Sequence, residues 1–331
     1  TAVAAQATTG TGDRIPDFSR CGYRGGGVSI PDVGAEVTLA PRDGGDDTER
    51  IQAAIDRVAD KPADDRGFRG AVLLESGTYR VAGSLRIQTS GVVLRGEGQY
   101  RHETVIVATD TNKRALIKIG GGEPGEKLEG SRRAIAEEYV PVGARTFRLT
   151  STEGLAAGDP IVVFRPATEK WIDALGTSHL GWKPQTYDMR YERRVKAVNG
   201  RKLTIDAPIV CAIDSRFGGG SVYKTTPDER ISRVGVEDMR LVSDYEKGEE
   251  RRDEEHAWEA VEVGNLRDGW VQNVTAVHFG YSCVSLLEGA RRITVQDCAF
   301  LDPVSRITGA RRYSFNVSGQ LCLVQRCYAR G

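Results

Sequence analysis

The chain lacks the features that would point to several common functions. It has no excess of charge: 46 Lys and Arg are matched by 46 Asp and Glu. No global field therefore steers a polyanion to it, and an acidic ligand has to be held by a local cluster. No apolar run approaches the roughly 18 residues of a membrane-crossing helix. Neither a nucleic acid nor a membrane is expected as a partner. There is no P-loop, dinucleotide fingerprint or nucleophile elbow. Histidine is held to 4 and methionine to 2. The six cysteines, Cys21, Cys211, Cys283, Cys298, Cys322 and Cys327, form no CxxC pair and no zinc-like spacing with the histidines. Cys283, Cys298 and Cys327 read as small buried hydrophobes, and the sequence chooses no disulfide pair.

Glycine is abundant, at 39 of 331 residues, which suits short strands joined by many turns. The start is small and apolar, and Ala5-Gln6-Ala7 resembles an export cleavage site. Secretion or a periplasmic location is the expectation. Residues 1–45 are irregular and include Gly25-Gly26-Gly27. A helix is predicted over 47–59: Asp46, Asp47 and Thr48 offer N-caps, Glu49 puts negative charge in the first turn, and Ile51, Ala54, Ile55 and Val58 fall on one face. Strands are predicted at 70–75, 78–81, 85–87 and 92–94.

Three stretches together resemble a family: Asp46-Asp47-Thr48 with Ile51-Gln52-Ala53-Ala54-Ile55-Asp56, then Gly77-Thr78-Tyr79-Arg80, then Gly91-Val92-Val93-Leu94-Arg95-Gly96-Glu97-Gly98. They look like the entrance of the pectate-lyase-like superfamily. The resemblance implies an all-β chain wound as a right-handed parallel β-helix, a solenoid whose open first end is covered by the helix. It does not fix the reaction, because lyases, hydrolases and tailspikes share that fold.

The repeat is clearest after residue 230. Aligning Val236, Val271, Val295 and Val324 gives spacings of 35, 24 and 29 residues, an irregular period of the kind that solenoid coils with variable loops produce. Each of the last three repeats is preceded by a further strand, with Val261 and Val263, and then Tyr313, Phe315 and Val317, expected inward. Asp238, Asn273 and Asp297 occupy one equivalent bend, where Asp and Asn tolerate unusual dihedrals; Arg326 breaks the pattern. The sequons at Asn273 and Asn316 read as chance matches. Residues 145–213 read as a small β-rich insertion with an Asn199-Gly200 hairpin. Its Trp171 and Trp182 either stack on sugar rings or fill the insertion's own core. The expected division is thus 1–45, 46–144, 145–213 and 214–331. The last coil carries no cap after Cys327, so a further segment or another chain is expected to complete the helix.

In enzymes resembling this family the cleft lies along one sheet, walled by the loops that lead into it. Those loops here are 243–259, 277–282 and 300–312. The first offers Glu254, Glu255, His256 and Trp258, with His256 as a candidate general base and Trp258 as a sugar platform. The second offers His278 and Tyr281, a workable base and acid for β-elimination next to a uronate carboxylate. The third offers Arg306, Arg311 and Arg312, which suit a substrate carboxylate or a developing enolate. The structural alternatives are a solvated loop, ring packing, and ion pairs between the arginines and Glu254 or Glu255. Glu262 is the one outward carboxylate expected on the sheet itself. No clustered aspartates of the polygalacturonase type occur. No set of six to eight oxygens for Ca²⁺ can be assembled, so no cofactor is called for, with Ca²⁺ left open. The expectation is a polysaccharide-cleaving enzyme, by β-elimination on a uronate-containing glycan, with hydrolysis, transfer or epimerisation, and non-catalytic glycan binding as alternatives.

Overall fold

The computed structural model describes residues 10–331; the Ala5-Gln6-Ala7 triplet lies outside them. The chain forms two compact units. The larger takes in Ser19–Pro124 and Glu229–Gly331, and the smaller takes in Gly125–Asp228 with residues 10–18.

The larger unit is built almost wholly of parallel strands, in three rows. The first row runs through Ala35–Leu39, Gly70–Leu74, Val92–Arg95, Gly235–Ser243, Leu266–Val277, Arg291–Gln296 and Leu323–Gln325, each pair parallel. The second joins Leu85–Ile87, Ala115–Ile119, Glu259–Val263, Ser282–Leu286 and Phe315–Val317. The third joins Gly77–Val81, Thr104–Ala108, the later halves of the two long strands, Ala299–Leu301 and Tyr328–Arg330. The register aligns Val236, Val271, Val295 and Val324 directly, as the repeat in the sequence requires. Their side chains share one apolar core with Val261, Val263, Cys283 and Cys298. Cys327 packs at its edge, and all six cysteines are free thiols.

The bends between rows follow from residue type. Asp238, Asn273, Asp297 and Arg326 all take left-handed backbone, with φ between 50° and 57°. Three of the four are Asp or Asn, the side chains that best tolerate that region. They are also tied across tiers: Asn273 Nδ2 donates to Asp238 Oδ1 at 2.8 Å, and Arg326 pairs with Asp297 at 2.7 Å. Arg326 therefore departs from the pattern in chemistry but not in conformation.

The predicted helix forms as Thr48–Ala59 and buries Ile51, Ala54, Ile55 and Val58 against the first strands. The two aspartates take different roles. Asp46 Oδ1 accepts from the Thr48 backbone N–H at 3.0 Å. Asp47 instead accepts from the Arg80 N–H and pairs with Arg42 and Arg50, so it fastens the helix to the neighbouring strand. An arm ahead of the helix crosses the outer side of the first row. Tyr23, Val33, Phe68 and Trp270 make a small apolar cluster there, with the Tyr23 and Trp270 rings edge-to-face at 5.3 Å.

One sequence expectation fails at the last tier. Tyr313 lies ahead of the strand, which starts at Phe315, and Tyr313 and Val317 are both 47% exposed. Of the three, Phe315 packs against the core, on a strand paired in parallel with Ser282–Leu286.

The smaller unit is antiparallel. Its six-stranded sheet runs in the order Thr146–Arg148, Lys202–Ile205, Met189–Asn199, Pro160–Arg165, Ser221–Lys224, Arg133–Ala134. Phe147, Leu149, Ile161, Val163, Val195, Leu203 and Ile205 supply its core. The hairpin is present, but its turn is one residue later than expected: Asn199 pairs with Lys202, and Gly200, at φ 56°, and Arg201 form the loop. The expected insertion, 145–213, lies within this unit, which extends further at both ends because Arg133–Ala134 and Ser221–Lys224 complete the sheet.

Candidate functional site

The structure engages several of the predicted site residues within the protein itself. His256 is fully buried. Its Nε2 donates to the Val304 carbonyl at 2.9 Å, which leaves Nδ1 to accept from Ser243 Oγ at 2.8 Å. Burial pushes its pKa down. Both nitrogens are spent on holding the 243–258 and 300–312 loops together, so His256 is a core residue, not a surface base. His278 packs edge-on against Tyr245 at 4.9 Å in left-handed backbone, and burial followed by the Lys247 charge lowers its pKa. Tyr281 packs on Trp258 instead, so the two rings of the expected His278–Tyr281 pair have different partners.

The arginines of the third loop are engaged within the protein. Arg311 donates to both oxygens of Glu254, at 2.5 and 3.1 Å, and Lys113 adds a contact at 3.5 Å. The Arg311 guanidinium above all brings the Glu254 carboxyl down to about 2. Arg312 donates to the Ser305 carbonyl at 2.5 Å and pins the same loop. Arg306 and Glu255 are exposed. In the smaller unit, Trp171, Trp182 and Tyr187 cluster together. Trp182 stacks on Tyr187 at 4.0 Å and the Arg165 guanidinium sits 4.4 Å from the Trp171 ring. Part of each ring is thus spent on internal packing.

What does assemble lies on the second row of strands. Trp258 and Tyr281 come into line because the Trp258 N–H donates to the Arg114 carbonyl at 2.7 Å and the Tyr281 N–H donates to the Trp258 carbonyl at 2.8 Å. Their rings are nearly parallel, 9° apart at 6.2 Å, and Tyr313 continues the strip at 5.5 Å from Tyr281. The strip needs Gly280: a β-carbon there would lie 2.4 Å from the Trp258 ring. Lys113 Nζ sits 4.9 Å over Trp258, a cation–π contact that holds the indole in place.

Beside the aromatic strip runs a polar line set by register: Arg86, Lys118, Glu262, Ser285 and Asn316 occupy the same position on successive strands. Asn316 Nδ2 donates to Ser285 Oγ at 3.1 Å. Glu259 opens the strand that carries Glu262. Burial, reinforced by the negative charge of Glu262 and opposed by Lys118, raises the Glu259 carboxyl to about 7. Burial also raises the Tyr281 hydroxyl, with Tyr313 and Glu259 adding to the effect, so Tyr281 stays protonated and keeps an O–H to donate.

A carboxyl that is half protonated near neutral pH, with a second carboxylate and a cation beside it, is a proton donor and acceptor in working range. Three aromatic rings along the same edge give the apolar faces of sugar rings a surface to lie on. Glu259 was not among the sequence-predicted residues. Counting alternation back from Val263 and Val261 assigns it inward, and the count breaks at the strand's first residue. Its adjacency to Trp258 was the available signal. Among the described residues, no group of three or more His, Cys, Asp or Glu side chains is gathered as a metal would need, and no helix is long and apolar enough to cross a membrane.

No family model matches the sequence, and no curated protein matches it. Among solved structures, the chain is similar to the tailspike of E. coli bacteriophage HK620 in complex with a pentasaccharide, at 11% identity and a TM-score of 0.42 over 88% of this chain and 32% of that one. It is similar to the tailspike of Pseudomonas phage phi297, at 15% identity and 0.38 over 86% and 42%. It is also similar to the A-module of a mannuronan C-5 epimerase from Azotobacter vinelandii, at 14% identity and 0.31 over 84% and 48%. The chain spans about a third to a half of the length of these three proteins.

Proposed function

We propose that the larger unit is a right-handed parallel β-helix and that its second strand row cleaves a glycan by acid–base chemistry. The observation that carries this reading is Glu259, a carboxyl raised to about 7 next to Glu262 and the Trp258–Tyr281–Tyr313 strip. Glu259 delivers a proton to the departing glycosidic oxygen, and Glu262 serves as the ionised partner that activates water or stabilises the positive charge growing on the sugar ring. The sugar rings lie along the aromatics. This favours hydrolysis over the elimination that the sequence suggested, because His256 is sealed in the core and His278 packs edge-on against Tyr245. β-Elimination keeps one supporting observation: Lys118, on the Glu262 line, is a cation of the kind that would neutralise a uronate carboxylate. A polysaccharide substrate of either kind carries with it a secreted or periplasmic location.

The test is product analysis on a panel of neutral and acidic polysaccharides. Hydrolysis yields new reducing ends without unsaturated sugars; elimination yields both. Glu259→Gln should lower turnover by about 10²- to 10⁴-fold, the usual worth of a positioned acid–base group. Unchanged turnover in that variant sinks the assignment, and binding without any product leaves the alternative of a non-catalytic glycan-binding β-helix.

A further inference from the structure

The outer side of the first strand row holds a second, separate groove of about 540 Å³ between that row and the arm. We propose that it binds an uncharged glycan segment, independently of the Glu259 site. Its floor is a ladder of side-chain amides. Gln325 Nε2 donates to Gln296 Oε1 at 2.9 Å, Gln296 Nε2 to Gln272 Oε1 at 3.1 Å, and Gln272 Nε2 to Glu237 Oε2 at 3.0 Å. The ladder ends on a buried carboxylate that also takes the Trp270 Nε1–H at 2.6 Å and Arg95 Nε at 2.6 Å. Every amide is thereby locked in one orientation, and each keeps a second N–H and a second carbonyl lone pair beyond those the ladder uses.

The opposite wall is the arm. The Tyr23 N–H donates to Thr294 Oγ1 at 2.8 Å, which fixes the arm to the floor. That close approach depends on Gly22, at φ 91°, where a β-carbon would lie 2.7 Å from the Thr294 hydroxyl oxygen. The chain then turns away through Gly25, Gly26 and Gly27, all left-handed, and leaves Ser29 and Ile30 on the rim.

The chemistry of the lining selects the ligand. Among the described residues, no Asp, Glu, Lys, Arg or His lines the groove, so an ionic group would enter with nothing to pair it. What the groove offers is oriented amide donors and acceptors, repeated at the strand spacing of about 4.8 Å, with Tyr23, Ile30 and Leu323 as apolar surface. Alternating hydroxyls and C–H faces are the complement of that surface, and they are the surface of a neutral sugar ring. By contrast, the Glu259 site carries charges of both signs. The two sites lie on different strand rows of the same unit.

The test uses the full chain with neutral oligosaccharides of glucose, galactose, mannose and N-acetylglucosamine, and with uronate oligosaccharides as the charged comparison, by titration calorimetry. A neutral oligosaccharide should bind with a Kd of about 1 mM or tighter. Ser29→Trp, on the exposed rim, obstructs the groove while leaving every ladder residue in place and should weaken that binding tenfold or more with an unchanged melting temperature. Gln296→Leu should weaken it at least as much. Glu259→Gln should leave it unchanged, which separates this site from the proposed reaction. The proposal is overturned if no neutral oligosaccharide binds, if Ser29→Trp binds as the parent does, or if uronate oligosaccharides occupy the groove as tightly as neutral ones.

Discussion

Replacing Glu259 by Gln should make the protein more stable while it destroys the proposed activity, and the two effects have one cause. A carboxyl whose ordinary value is 4.5 and whose folded value is about 7 binds its proton more tightly in the folded chain. Below pH 4.5 both the folded and unfolded chains are protonated at this position, and nothing is lost. Between 4.5 and 7 the unfolded chain releases the proton and the folded chain keeps it, so stability falls as pH rises. Above about 7 the folded chain carries a half-buried charge beside Glu262. At about 1.4 kcal/mol for each tenfold change in proton affinity, the loss is about 3 kcal/mol at pH 8. Gln keeps the shape and removes the titration. Urea unfolding of parent and variant should therefore give matching stabilities near pH 4 and a gap that opens to about 3 kcal/mol in favour of Glu259→Gln at pH 8. Comparing the two proteins cancels every other titrating group. A gap that is the same at both pH values, or a variant that is less stable at pH 8, would refute the account of Glu259 and with it the proton donor.

Glu254→Gln should behave in the opposite sense. A carboxyl brought from 4.5 down to about 2 by Arg311 contributes stability that is present above pH 4.5 and disappears as pH falls towards 2. The variant should lose on the order of 1–2 kcal/mol at pH 7 after solvent screening of a partly exposed partner, and nothing near pH 2 in urea melts. His256→Gln should cost about 2 kcal/mol by leaving Ser243 or the Val304 carbonyl without its partner, yet leave the turnover of the folded fraction unchanged. A large loss of turnover at constant fold would restore His256 to the chemistry. Asn273→Val should cost about 2–3 kcal/mol, because a β-branched residue is forced into left-handed backbone and the bond to Asp238 is lost, whereas Asn273→Gly loses only that bond and should cost about 1 kcal/mol by the same melts. Trp258→Ala should raise KM about tenfold, the worth of one aromatic platform of about 1–2 kcal/mol, with a smaller change in kcat.

The parts of the fold that were legible in the sequence are those fixed by short-range rules. Val236, Val271, Val295 and Val324 align in the structure as they do in the sequence, because each tier must offer the same apolar residue to the one before it. The helix at Thr48–Ala59 and the bends at Asp238, Asn273 and Asp297 likewise follow from residue type. The site was less legible, since it depends on where alternation breaks. His256 and Trp258 stand two apart at the mouth of one strand, and only the loop path decides that the histidine is sealed by Val304 while the indole stays at the surface. Arg311 could not be told from a substrate ligand until Glu254 was seen to hold it. The arm was invisible as a wall because its glycines spell flexibility in sequence and close approach in space.

The amide ladder on the first row has a direction, and direction makes its members unequal. Each glutamine donates an N–H hydrogen bond to the tier before it, and the chain of donations terminates on Glu237. Losing Gln325 removes one bond at the open end. Losing Gln296 strands an acceptor on one neighbour and a donor on the other. The tiers are thus coupled like spins in a row, each setting the orientation of the next, and substitutions along the row should be tolerated in adjacent pairs more readily than one at a time. A change at Glu237 would free every amide above it to turn over, so a single carboxylate at one end governs the polarity of a surface that extends three tiers away.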